Sequence, residues 1–111
     1  MKSIIISALA AGSLLAATPA LANLELAKKS NCMSCHAVDK KIVGPSYQDV
    51  AKKYAGDKTA ADTLAKRIKG GSAANGGQKW ASATGGIPMP PNNVSDADAL
   101  TLAKWVLGGA K

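Results

Sequence analysis

The stretch Cys32-Met33-Ser34-Cys35-His36 decides how the rest of the chain is read. It is a C-x-x-C-H run, the attachment pattern of a c-type haem. Each thiol can add across one porphyrin vinyl group to form a thioether, and the two-residue gap matches the vinyl spacing along one edge of the ring. The imidazole that follows then lies under the macrocycle, where it can ligate iron from the proximal side. A bare C-x-x-C says less, because the same spacing serves zinc and dithiol chemistry. The chain has two Cys and one His, so a closed zinc site would need a carboxylate to complete it. A dithiol oxidoreductase expects a βαβ neighbourhood, and a small structural disulfide is the plainest alternative.

Upstream of this run, residues 1–22 have the form of an export signal. Lys2 is a short positive region, Ile4 to Ala17 is apolar, and Ala20-Leu21-Ala22 is an A-x-A cleavage sequence. The apolar run is short for a bilayer span and is interrupted by Thr18 and Pro19. Cleavage after Ala22 is expected, leaving Asn23 to Lys111 as one domain in the periplasm, an oxidising compartment. Uncleaved tethering is the alternative, and no later segment reads as a membrane span.

Composition constrains the core. The 111 residues include no Phe, two Trp and two Tyr, and much of the apolar content is Ala. A domain this small is marginal on its surface-to-volume ratio and commonly needs a staple. A covalently held porphyrin, flat and largely apolar, would supply the missing bulk. The chain is basic, with 14 Lys and Arg against 7 Asp and Glu and a formal net charge of +7. Such a balance suits nucleic acid, an anionic membrane or an acidic protein partner. Export argues against nucleic acid. The lack of a basic amphipathic helix with an aromatic face argues against membrane binding.

The rest reads as all-α, about four helices wrapped around one covalent haem. A first helix is expected from Asn23, its N-cap, to about Asn31, with Glu25 and Lys28-Lys29 matching the dipole. A second runs from about Ser46 to Tyr54, with Tyr47, Val50, Ala51 and Tyr54 on one stripe. Thr59-x-x-Asp62 has the form of a capping box before a third, carrying Ala61, Leu64, Ala65 and Ile68 and ending at Gly70-Gly71. From Gly70 to Asn93 the chain is rich in Gly and Pro, long for a connection in a small domain. Ser95-x-x-Asp98 opens the last helix, with Leu102, Ala103 and Val106 on its apolar face and Gly108 as its stop.

An iron held by His36 alone leaves its second axial position to water, a small ligand or a side chain. Met1 would leave with the signal, and Met33 is pinned between the two cysteines. Met89 is therefore the thioether candidate, set in the stiff run Ile87-Pro88-Met89-Pro90-Pro91-Asn92. A gap-filling core role for Met89, or a lysine ligand in its place, are the alternatives. His/Met ligation favours ferrous iron, raises the reduction potential relative to a bis-His haem and leaves no open position for a substrate.

Taken together, these stretches resemble the class I monohaem cytochromes c of the bacterial c-551/c-552 (c8) type, over essentially the whole mature length. The matches are Cys32-x-x-Cys35-His36, Val43-Gly44-Pro45, Asp49 through Gly56, Ile87 through Asn92 and Leu102 through Leu107. The resemblance implies that the Pro45 carbonyl accepts the His36 Nδ1 proton. It also implies that Asn92 steadies the Met89 sulfur, and that Arg67 and Trp80 approach the haem propionates. Arg67 as a solvated helix charge and Trp80 as a loop anchor are the plainer readings. Trp105 reads as packing rather than redox relay.

Two departures stand out: Ala27 lies where many relatives carry an aromatic that packs on the last helix, and Ser72 to Gly86 is longer than the usual turn. The small side chain at position 27 predicts a weaker or repacked contact between the first and last helices. The implied function is a periplasmic one-electron carrier and not an enzyme. It would be monomeric, taking electrons from a membrane or soluble donor and passing them to a nitrite reductase, an oxidase or a peroxidase. Lys28, Lys29, Lys40 and Lys41 would steer docking beside the haem edge, or serve only solubility. A haem enzyme or gas-binding protein with a vacant distal position is the rival from another class.

Overall fold

The structure is a computed structural model that describes residues 19–75 and 84–111. Four helices are described: α1 (Pro19–Lys29), α2 (Tyr47–Lys53), α3 (Ala60–Gly70) and α4 (Asp96–Leu107), with one 3-10 turn at Cys32–Ser34. Among the described residues there is no strand, only an isolated antiparallel bridge between His36 and Lys41. The fold is all-α, and none of the described helices is long and apolar enough to cross a membrane.

α1 starts four residues before the expected Asn23. Pro19 sits in its first turn, where a missing N–H costs nothing because the first four amides of a helix have no partner within it. The expected cleavage point after Ala22 thus falls inside this helix. Lys28 and Lys29 occupy its last turn, and Lys28 meets Glu25 at 3.3 Å on an exposed face. Such a surface pair contributes little. The chain then turns at Asn31 (φ 62°), a left-handed conformation that Asn tolerates better than most residues, and enters the 3-10 turn.

α2 is tied to the motif through its free amides. Tyr47 N donates to Ala37 O and Gln48 N to Val38 O, both at 3.0 Å. The Ser46 hydroxyl accepts from Asp49 N at 3.1 Å as the N-cap. α4 opens in the same way, with Ser95 Oγ accepting from Asp98 N at 3.0 Å. α3 does not. Thr59 makes no side-chain cap, and its N–H and hydroxyl both donate to the Asp57 carboxylate, at 2.9 and 2.8 Å. The expected Thr59/Asp62 box is therefore replaced by a turn closed from the residue two positions earlier, a local competition open to Asp and Thr side chains.

α4 is the hub. It packs against α3, α2 and α1, and Lys69 near the end of α3 pairs with Asp96 at the start of α4. The core gathers Ala27, Tyr47, Val50, Tyr54, Ala60, Leu64, Leu102, Ala103, Trp105 and Val106, with Cys32 at its edge. Its members with no exposure at all are alanines, Ala27, Ala60 and Ala103. Small side chains let the helices approach closely, but they leave little bulk at the centre, and the larger apolar residues turn part of their surface toward a cleft.

Candidate functional site

The cleft has a volume of about 480 Å³, within the range of roughly 300–1,000 Å³ typical of pockets that enclose a small organic ligand. Every described element except α1 contributes to its wall. Cys32, Cys35 and His36 come from the motif, Gly44 and Pro45 from the loop that follows, and Tyr47 and Val50 from α2. Leu64, Arg67 and Ile68 come from α3, and Leu102 and Val106 from α4. The segment Gly86–Pro90 with Asn92 completes it. The lining is mostly apolar, with Arg67 as its one cationic side chain among the described residues. The fold thus brings both motif cysteines, His36 and Met89 to one cavity.

His36 is held on two sides. Its Nδ1 donates to the Pro45 carbonyl at 2.8 Å, and its ring stacks on Tyr47 with centroids 5.2 Å apart and planes 21° from parallel. Burial pushes its pKa below the ordinary value of 6.5, partly opposed by the Pro45 carbonyl. The neutral ring therefore keeps its proton on Nδ1 and offers the Nε2 lone pair, the form a metal requires. The loop lies so close that a Cβ on Gly44 would sit 2.4 Å from His36 Cε1. Gly44 N in turn donates to Cys35 O at 2.7 Å, fastening that loop to the motif.

The two thiols are not bridged, with Cys32 buried and Cys35 half-buried. Burial pushes the Cys32 thiol up, partly opposed by the Tyr47 hydroxyl beside it. The same surroundings raise the Tyr47 phenol far above its ordinary range, so it stays protonated.

On the other segment, Met89 is pinned through its backbone. Its N–H donates to Ser72 Oγ at 2.8 Å, and its carbonyl accepts from Ser72 N at 2.9 Å. Asn92 is tied to the backbone. Its Nδ2 donates to Ile68 O at 2.9 Å and to Pro90 O at 3.2 Å. It steadies the strap.

Arg67 is not a solvated helix charge. It is buried, its Nε donates to Asn75 O at 2.7 Å, its Nη1 donates to the Tyr54 hydroxyl, and its guanidinium lies 5.8 Å from the centre of the Tyr54 ring. Trp80 lies outside the described residues, as does part of the long Ser72–Gly86 segment. Trp105 is core: it meets Tyr47 edge-on at 5.4 Å and 65°, and its Nε1 is buried without a partner. Lys28, Lys29, Lys40 and Lys41 are all exposed.

Sequence reasoning missed Ser72, Gly71 and the contacts of Gly44 and Tyr47. Gly44 carried a signal, a glycine before proline just after the motif. Ser72 carried none, because its bonds depend on two segments that meet only in the folded chain.

The residues present fit the group that the motif implies. Two unbridged thiols, a neutral imidazole with its second nitrogen fixed and a thioether share one apolar cleft. Comparison with known proteins agrees. The chain matches the cytochrome c family over residues 16–109. It is 51% identical over 108 residues to cytochrome c-552 of Nitrosomonas europaea, covering 96% of this chain and 97% of the relative. It is 51% identical over 104 residues to cytochrome c-551 of Pseudomonas aeruginosa, covering 93% and 92%. The crystal structure of wild-type Nitrosomonas europaea cytochrome c552 superposes with a TM-score of 0.63 at 52% identity, over 77% of this chain and 96% of that one. The chain belongs to the cytochrome c family, as a class I member of the c-551/c-552 type that carries one c-type haem on Cys32 and Cys35.

Proposed function

We propose that the chain is a periplasmic one-electron carrier whose haem iron is held by His36 and Met89. The observation that carries this reading is that both residues line the cleft that also holds the two motif cysteines. A bound haem supplies an iron that alternates between the ferrous and ferric states. The chain sets the terms of that exchange.

Cys32 and Cys35 anchor the group, and Pro45 fixes the tautomer of His36. Met89 offers a soft sulfur that favours the ferrous state and raises the potential. The apolar walls exclude water, and Arg67 places a buried positive charge where it favours the propionates. The same proposal includes export, with cleavage after Ala22, so that α1 begins at Asn23 in the processed chain.

With His36 and Met89 both holding the iron, no position would be left for a substrate, so the chain would carry electrons rather than turn a substrate over. Val43 and Ile87 line the cleft and are exposed, giving a partner a short path to the group. That partner would be a membrane or soluble donor on one side and a reductase, oxidase or peroxidase on the other.

Carbon monoxide tests the reading. The ferrous wild type resists it, whereas Met89→Ala binds it at once and has a reduction potential lower by on the order of 0.1 V or more. Rapid carbon monoxide binding by the wild type would instead indicate a vacant distal position.

A further inference from the structure

We infer that Ser72 is a positioning residue for Met89, and that its hydroxyl sets how fast the iron exchanges its sulfur ligand. The inference rests on Met89 being that ligand. Between Pro88 and Pro91 three of the four residues are prolines without an N–H, so Met89 supplies the only main-chain donor of the strap. That donor goes to Ser72 Oγ at 2.8 Å, and Ser72 N returns a bond to Met89 O at 2.9 Å. Both main-chain polar groups of Met89 are therefore spent on one residue.

The nearest further anchor along the strap is Asn92, whose N and Nδ2 donate to Ile68 O at 3.1 and 2.9 Å. Ile68 and Ser72 are one helical turn apart in sequence, at the end of α3. Gly71, between them, has φ 83°, and a Cβ there would lie 3.0 Å from Met89 O and from Pro91 Cδ. The strap lies directly on the helix terminus at that point, and the serine fixes its height. Prolines make the segment stiff, but stiffness does not tell it where to sit. Without the hydroxyl, the Met89 amide would lose its partner, and the cheapest relief is for the strap to lift and admit water. A Met89 that holds the iron would be drawn away from it by that same movement.

The test compares Ser72→Ala, Ser72→Thr and Ser95→Ala in the haem-loaded protein, with cyanide added to the ferric form. Ser95→Ala removes the α4 N-cap and weakens the fold away from the cleft, so it controls for a general loss of stability. The expected result is that cyanide binds Ser72→Ala about five- to tenfold faster than the wild type, the worth of one hydrogen bond. Ser95→Ala and Ser72→Thr, which keeps the hydroxyl, bind it near the wild-type rate. Equal rates in Ser72→Ala and wild type, or equal acceleration in Ser72→Ala and Ser95→Ala, would overturn the inference. A ferric wild type without a sulfur-to-iron charge-transfer band would overturn the Met89 ligation itself, a different result read from a different signal.

Discussion

Gly44 and His36 are in such close contact that the loop backbone takes the space of any side chain: a Cβ at position 44 would fall 2.4 Å from His36 Cε1 and 2.8 Å from Nδ1. The neighbouring Pro45 carbonyl, 2.8 Å from the same Nδ1, must reach the ring from that loop. Gly44→Ala should therefore push the imidazole off its bond to Pro45 or lift the loop. Overpacking of this kind costs about 1–3 kcal/mol. The expected outcome is a lower urea midpoint together with a shifted reduction potential, measured on the haem-loaded variant. An unchanged potential would mean that the ring tolerates the methyl group.

The two serine caps and the missing threonine cap make a paired prediction. Ser95→Ala removes an acceptor for Asp98 N and should cost about 1 kcal/mol, a fall in Tm of about 4–8 °C for a domain of this size. Thr59→Ala removes only a hydroxyl donating to Asp57 at an exposed turn, so it should cost clearly less. Calorimetry on both variants decides the matter. Equal losses would show that Thr59 caps α3 in solution.

How much of this was legible in the chain follows from the range of each interaction. The motif, the stripe Tyr47-Val50-Tyr54 and the cap Ser95 depend on neighbours within a few residues, and they lie where spacing placed them. Thr59 misled because Asp57, two residues before it, competes for the same hydroxyl. α1 begins at Pro19 in the unprocessed chain because Pro opens a helix as readily as an Asn cap does, and a start at Asn23 would belong to the processed chain.

In the site, the stiffness of the strap around Met89 was legible from its prolines. Its clasp by Ser72 was not, since 17 residues separate the partners. Arg67 likewise revealed its burial only through Tyr54 and Asn75, which lie on other segments. The bonds of Asn92 to Ile68 and Pro90 were not legible either, because the first forms only where the strap meets the end of α3.

The exposed lysines near the motif carry a prediction about encounter. If Lys28, Lys29, Lys40 and Lys41 steer, oxidation of the ferrous protein by ferricyanide, an anion, should slow severalfold between about 0.01 M and 1 M salt, as the screening length shrinks from roughly 30 Å to roughly 3 Å. Lys40→Glu with Lys41→Glu should flatten that dependence. Stopped-flow absorbance supplies both curves. A rate insensitive to salt in the unaltered protein would assign these lysines to solubility alone.

The most direct measurement is the absorption spectrum of the purified ferric protein, recorded beside that of Met89→Ala. A sulfur-to-iron charge-transfer band in the first and its loss in the second is the predicted result, because the imidazole of His36 and the thioether of Met89 then hold the iron between them. A wild type without the band, or a variant that keeps it, would contradict the account.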